Sequence, residues 1–183
     1  MPAQPPDLQD SGWFVEKLVS TLSFGDRAAF LLEDWSIVAD IPLGKVLIEL
    51  NLDPEQAPSV DVLGAELIPG AVPQSVSGRR FIAIRLPSRL GPQEPHTFQL
   101  QVPVPGADRI GHHLCKPVVH CRRLDVRVHF DRSAVPARVR AINGRRTQAA
   151  DSGPQHEVPV NIVGEVEIGF EHPVLGRPYG LAW

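Results

Sequence analysis

The chain is poor in the residues on which simple functional assignments rest. Its 183 residues include two cysteines, one methionine, one tyrosine and three tryptophans, and aromatics make up 6%. Two cysteines cannot build the disulfide framework of a small secreted domain. So few rings argue against a nucleic-acid-binding sheet, which stacks bases on exposed aromatics. No run approaches the roughly 18 apolar residues of a membrane span, so no membrane partner is expected. The N-terminal MPAQPPDLQD lacks the basic start and apolar core of a secretory signal and is no transit peptide. A cytoplasmic location is therefore expected, with Cys115 and Cys121 reduced. The chain also lacks a G-x-S-x-G elbow, an H-E-x-x-H pair, a G-x-x-x-x-G-K-[ST] phosphate loop and a G-x-G-x-x-G turn. These absences favour a non-enzyme.

What is present is turn residues and alternation. Nineteen prolines and fifteen glycines interrupt helices and mark loops. Between them the apolar residues recur at every second position. Val46, Ile48, Leu50 and Leu52 do so in GKVLIELNL, and Phe98, Leu100, Val102 and Val104 in HTFQLQVPV. Leu124, Val126, Val128 and Phe130 continue the pattern in CRRLDVRVHF. Period two with one polar side is the mark of half-buried, mostly antiparallel strands. Further strands are expected at 30–39, 60–68, 79–86, 137–142, 156–163, 165–170 and 179–183. Asn143-Gly144 suggests a type I′ hairpin, and 143–155 a turn followed by a mobile loop. GWFVEKLVSTLS (12–23) suits a short helix or a strand, and its surroundings favour the strand. The fold expected is all-β, a two-layer antiparallel β-sandwich. A flexible tail over 1–10 precedes one domain over 11–183. Trp35, Tyr179 and Trp183 read as framework, with the terminal Trp closing the sandwich.

Charge is unevenly spread. Residues 1–78 carry 3 basic and 12 acidic side chains, residues 79–146 carry 14 and 4, and residues 147–183 carry 1 and 5. Either these segments lie against each other, or a basic face attracts an anionic partner. Strand parity puts Arg123 and Arg127 on one face, and likewise Arg138 and Arg140. Were the two strands neighbours, the four arginines would form a patch for carboxylate or phosphate.

The second concentration is GHHLCKPVVHC (111–121), which holds both cysteines and three histidines. Parity places His120 on the apolar face of the following strand and Cys121 on the wet one. His113 and Cys115 share a side, and Pro117 lets the chain bend so that Cys121 can join them. Three ligands with one open position would suit zinc. The spacing matches no standard zinc motif, and Lys116, Arg122 and Arg123 oppose a divalent ion. Those cations could instead activate Cys121 as a thiolate. The simplest reading is that both cysteines are small core residues.

CRRLDVRVHFD, followed by GEVEIGFEHPVLGRPYGLAW, resembles an uncharacterised β-rich domain found at the C-terminus of some bacterial helix-turn-helix proteins. The likeness is best over 112–183, with GWFVEKLVSTLSF matching that domain's first strand. No helix-turn-helix segment is present here, so DNA binding is not implied. The resemblance implies an accessory, sensing or protein-interaction role. The expectation is therefore a non-catalytic module that uses Arg123, Arg127, Arg138 and Arg140 and needs no cofactor. Its partner would be another protein, its own copy or an anion. The rivals are a metal-binding protein, in one form a zinc enzyme, built on His113, Cys115 and Cys121, and a nucleic-acid-binding β domain, which is not favoured.

Overall fold

A computed structural model describes residues 12–25, 28–50, 59–68, 80–105, 110–144 and 156–183. Among these residues there is no helix. The first seven strands are β1 (Trp13–Phe24), β2 (Ala29–Ala39), β3 (Leu43–Leu50), β4 (Asp61–Leu63), β5 (Glu66–Leu67), β6 (Arg80–Leu90) and β7 (Pro95–Val104). They are followed by β8 (His112–Cys115), β9 (Cys121–His129), β10 (Arg140–Asn143), β11 (Glu165–Glu171) and β12 (Tyr179–Ala182). Three sheets result, in the orders β11-β9-β1-β2-β7-β4, β10-β12-β8 and β3-β6-β5. The all-β expectation is met, and the pairing is antiparallel except that β1 and β9 run parallel. The proposed tail over 1–10 lies outside the described residues.

The inner face of the six-stranded sheet follows from the period of two. Leu18, Ser20 and Leu22 of β1 stand beside Trp35, Glu33 and Leu31 of β2, and beside Leu124, Val126 and Val128 of β9. Phe98, Leu100 and Val102 of β7 extend the rows. Val46 and Ile48 of β3, Ile82 and Ile84 of β6, and Leu181 of β12 join the same buried cluster, so the three sheets share one core. Phe24, Phe130 and Trp183 close one side of it, with ring centroids 5.1–5.9 Å apart. Trp183 therefore serves the framework role read from the sequence.

Segment 12–23 is strand, and its helix-like spacing has a local cause. The register between β1 and β2 slips between Val15 and Lys17, which is a β-bulge. The extra residue lets Val15 and Leu18, three positions apart, both face the core, which mimics a helical period.

Two other expectations are corrected. Asn143-Gly144 does not form a two-residue hairpin, because Arg140 bridges Glu157 and the Ala141 N–H donates to the His156 carbonyl. The return segment is thus a dozen residues further on, and Gly144 (φ 60°) sits against the Tyr179 ring. Residues 145–155 lie outside the described residues. Within 156–163, only Glu157 pairs as a bridge, and no strand forms.

One glycine is dictated by packing. Gly180 holds φ at 153°, and a Cβ there would be driven into the His113 carbonyl oxygen of the neighbouring strand β8. Gly180→Ala is expected to cost about 3 kcal/mol or more, read as a drop in the urea midpoint. A loss under about 1 kcal/mol would show that the β8–β12 contact is not this tight.

Candidate functional site

The charged face lies on the outer side of the six-stranded sheet. There β9 runs between β1 and β11, so basic residues of the middle segment meet acidic residues of the last one. Arg123 donates to Asp125 at 2.9 Å and to Glu171 at 2.6 Å, and Arg127 donates to Glu167 at 2.9 Å. Lys17 reaches Asp125 at 3.1 Å, and His129 lies 3.0 Å from Glu165. Burial would raise the Asp125 carboxyl, but the hydrogen bonds from Arg123 and Lys17 outweigh it and hold the group below its ordinary value. Arg138 and Arg140 are elsewhere. β10 belongs to a three-stranded sheet and is no neighbour of β9, and the exposed Arg138 is 3.8 Å from Glu157. The four arginines thus divide, with Arg123 and Arg127 on β9, Arg140 opening β10 and Arg138 just before it.

The stretch 111–121 spans from one sheet to another. β8 ends at Cys115, residues 116–120 cross, and β9 begins at Cys121, with the His120 carbonyl accepting from the Val15 N–H at 2.8 Å. His113 and Cys115 are buried on one side, as parity requires. Parity fails further on, where His120 is exposed and Cys121 is buried. Arg122 and Arg123 are both exposed, so the alternation of β9 does not extend back through the crossing segment. Cys121 is no activated thiolate either. Burial pushes its thiol up to about 12, and that of Cys115 likewise, despite the nearby arginines.

His113 has a hydroxyl as its partner. Its Nε2 lies 3.1 Å from the Ser20 Oγ, and Ser20 lies 3.4 Å from the Glu33 Oε1 as its donor. With the proton on Nε2, the chain runs from His113 to Ser20 to Glu33. Trp35 Nε1–H donates to the other carboxylate oxygen at 3.1 Å. This is no Ser-His-acid relay. There the acid orients the imidazole, whereas here His113 and Glu33 both engage the hydroxyl. Among the described residues no set of three or more His, Cys, Asp or Glu is placed to hold a metal.

The cluster borders a cleft. Trp13, Val15, Leu18, Glu33 and Trp35 form its floor, Leu47, Ile48 and Glu49 of β3 one wall, and Cys115 to Val119 with Cys121 the other. Its enclosed volume is about 30 Å³, within a free space of about 500 Å³ that includes the open side. Glu33 is 7% exposed, and burial pushes its carboxyl up to about 7 against the hydrogen bonds from Trp35 and Ser20. Burial also drives His113 down to about 4.

No family model and no curated protein matches the chain. Solved structures do. The chain is similar to a crystal structure of an M1 zinc metallopeptidase variant from Deinococcus radiodurans bound to a Tyr-Ser-Ala substrate. The TM-score is 0.53 and the identity 16%, over 97% of this chain and 44% of that one. A two-domain M1 zinc metallopeptidase variant bound to L-tryptophan gives the same figures. The likeness is one of fold. The chain spans less than half the length of these peptidase chains.

Sequence reasoning missed Ser20 and Glu33, although for Glu33 the signal was there. In AFLLEDWSIVA, Glu33 takes an inward position between Leu31 and Ile37, the place where an alternating strand should be apolar. An inward carboxylate is costly and therefore informative.

The two shifted groups act in opposite directions on stability. Glu33, raised from 4.5 to about 7, makes the fold lose stability as pH rises from 4.5 to 7. His113, lowered from 6.5 to about 4, makes it lose stability as pH falls from 6.5 to 4. Between pH 4.5 and 6.5 the two slopes cancel. Glu33→Gln should expose the histidine slope and lose about 2–3 kcal/mol more than wild type over that interval. Urea denaturation of both proteins at the two pH values checks this, and parallel slopes would refute it.

Proposed function

We propose that the chain is a non-catalytic accessory module that binds through the Glu33 cleft rather than through the arginine face. The observation that carries this reading is a buried carboxylate in the floor of a cleft, with neutral hydrogen-bond donors and no basic partner among the described residues. Folding gains little from such a group, because burial favours an apolar residue there. A binding role accounts for it. The fold likeness to part of a larger peptidase chain suits a module that serves a partner. Two buried thiols in the cleft walls suit a reducing, cytoplasmic setting.

The arginine face is the weaker surface. Arg123 and Arg127 already hold Glu171 and Glu167, so an anionic partner has to displace carboxylates whose backbone is fixed by the β9–β11 ladder. Zinc on His113, Cys115 and Cys121 is disfavoured because His113 is committed to Ser20 and is not among the cleft-lining residues.

A fragment library screened by nitrogen-15 NMR tests the cleft. Hits should move the Trp13 and Trp35 indole N–H signals and should be lost when Leu47→Trp fills the opening. Val118→Trp is a second filling variant, with folding of each verified by its melting curve. No hits at these indoles, or hits that persist in a folded filling variant, would overturn the reading.

A further inference from the structure

We infer that the cleft takes an organic cation, a primary alkylammonium group carrying a short apolar tail. The inference rests on the binding role proposed for the cleft and names the class of its ligand. Three features of the site point there together.

The first is charge. With Glu33 ionised, the cleft holds a buried carboxylate whose hydrogen-bond donors, Ser20 and Trp35, are both neutral, while the cation of the lining, Lys116, is exposed. An anion entering would meet Glu33 in surroundings of low polarity, where repulsion is little screened. A cation meets an acceptor there. The Glu33 carboxylate has about four lone-pair positions and two neutral donors, Ser20 and Trp35, so acceptor capacity remains for an ammonium N–H. Charge-assisted hydrogen bonds of this kind are about twice as strong as neutral ones.

The second feature is the lining. Trp35 holds the carboxylate and Trp13 also lines the cleft, and indole is the ring that attracts cations best. Leu47, Ile48, Val118 and Val119 supply apolar walls along which an alkyl chain can lie. The third is size. An enclosed volume of about 30 Å³ admits a group on the scale of one or two waters, such as an ammonium head, and the wider mouth admits its tail. A metal ion is a poorer fit, since no set of three ligands converges among the described residues.

The buried imidazole and thiols around the cleft keep their charge state over the useful pH range. His113, driven down to about 4, and the Cys115 and Cys121 thiols, pushed up to about 12, are neutral from pH 5.5 to 8.5. Lys116 and Glu49 stand at the same cleft, and a Glu33→Gln control separates their contribution from that of Glu33. An alkylammonium stays charged throughout this range, with a pKa of about 10. Glu33 changes from mostly protonated to mostly ionised, so affinity should rise about 30-fold from pH 5.5 to 8.5 for a carboxyl at about 7.

The experiment is an NMR titration of the whole chain with n-butylammonium, n-butanol and butyrate at both pH values, read at the Trp35 indole N–H. Butylammonium should bind at pH 8.5 at least tenfold more tightly than the other two. It should weaken about 30-fold at pH 5.5 and lose at least tenfold in Glu33→Gln. Should that variant fail to fold, the comparison of three probes and two pH values in wild type still decides. Equal binding of butanol or butyrate, or pH-independent binding of butylammonium, would overturn the cation while leaving the cleft intact. Fragment hits that the filling variants abolish, combined with no butylammonium binding, would do the same. Absence of any ligand at the cleft in both experiments would overturn the binding role itself.

Discussion

The parallel pairing of β1 with β9 is the constraint on which the rest of the molecule depends. Val15 to Ser23 lie beside Cys121 to His129, so more than a hundred residues separate two neighbouring inner strands of the largest sheet. Antiparallel neighbours can be joined by a tight turn, but parallel ones need a crossover. Here the crossover carries β2 to β8 and so supplies three strands of the same sheet, β2, β7 and β4, the whole β3-β6-β5 sheet and an edge of the third. The bulge in β1 belongs to this centre. It turns both Val15 and Leu18 inward, where Val15 meets Ile37 and Cys121, and so lets the crossing segment 116–120 seal one end of the core.

Charge is organised by the same strand. β9 takes its basic residues into contact with β1 on one side and β11 on the other, and Asp125, almost wholly buried, is clamped by Lys17 and Arg123. On this face of the sheet, basic residues of the middle segment and acidic residues of the others are thereby folded into local pairs. Partly exposed pairs of this type contribute little each. Their chief effect here is on register, since Arg127–Glu167 and His129–Glu165 form only when β11 is placed residue for residue against β9.

The inner face has one polar row. Ser20 and Glu33 are direct partners across β1 and β2, with Val126 and Leu100 beyond them, and His113 reaches Ser20 from a different sheet. A contact between sheets through three polar groups fixes how the layers sit, because each group left unpaired in the core would cost about 1–3 kcal/mol. The arrangement also leaves Glu33 facing the cleft with no basic partner among the described residues, and the proposed binding role is built on that feature.

The sequence by itself determined the all-β class and the position of most strands, because burial on one side of a pleated chain writes a period of two. It also determined that His113 and Cys115 share a side, since both lie within one short strand. It read the 12–23 segment ambiguously for a definite reason, which is that one inserted residue shifts the period. Only the tertiary structure decided what Arg123, Arg127, Arg138 and Arg140 do, because partner choice depends on which strands become neighbours, and β9 lies beside β11 rather than β10. It likewise placed Cys121 inside and His120 outside, since the alternation stops where the chain leaves one sheet for another. Glu33 was visible as an inward carboxylate in an apolar strand. Its companions were not, because Ser20 stands 13 positions from Glu33 and 93 from His113 along the chain, and only long-range packing brings such residues within hydrogen-bond reach.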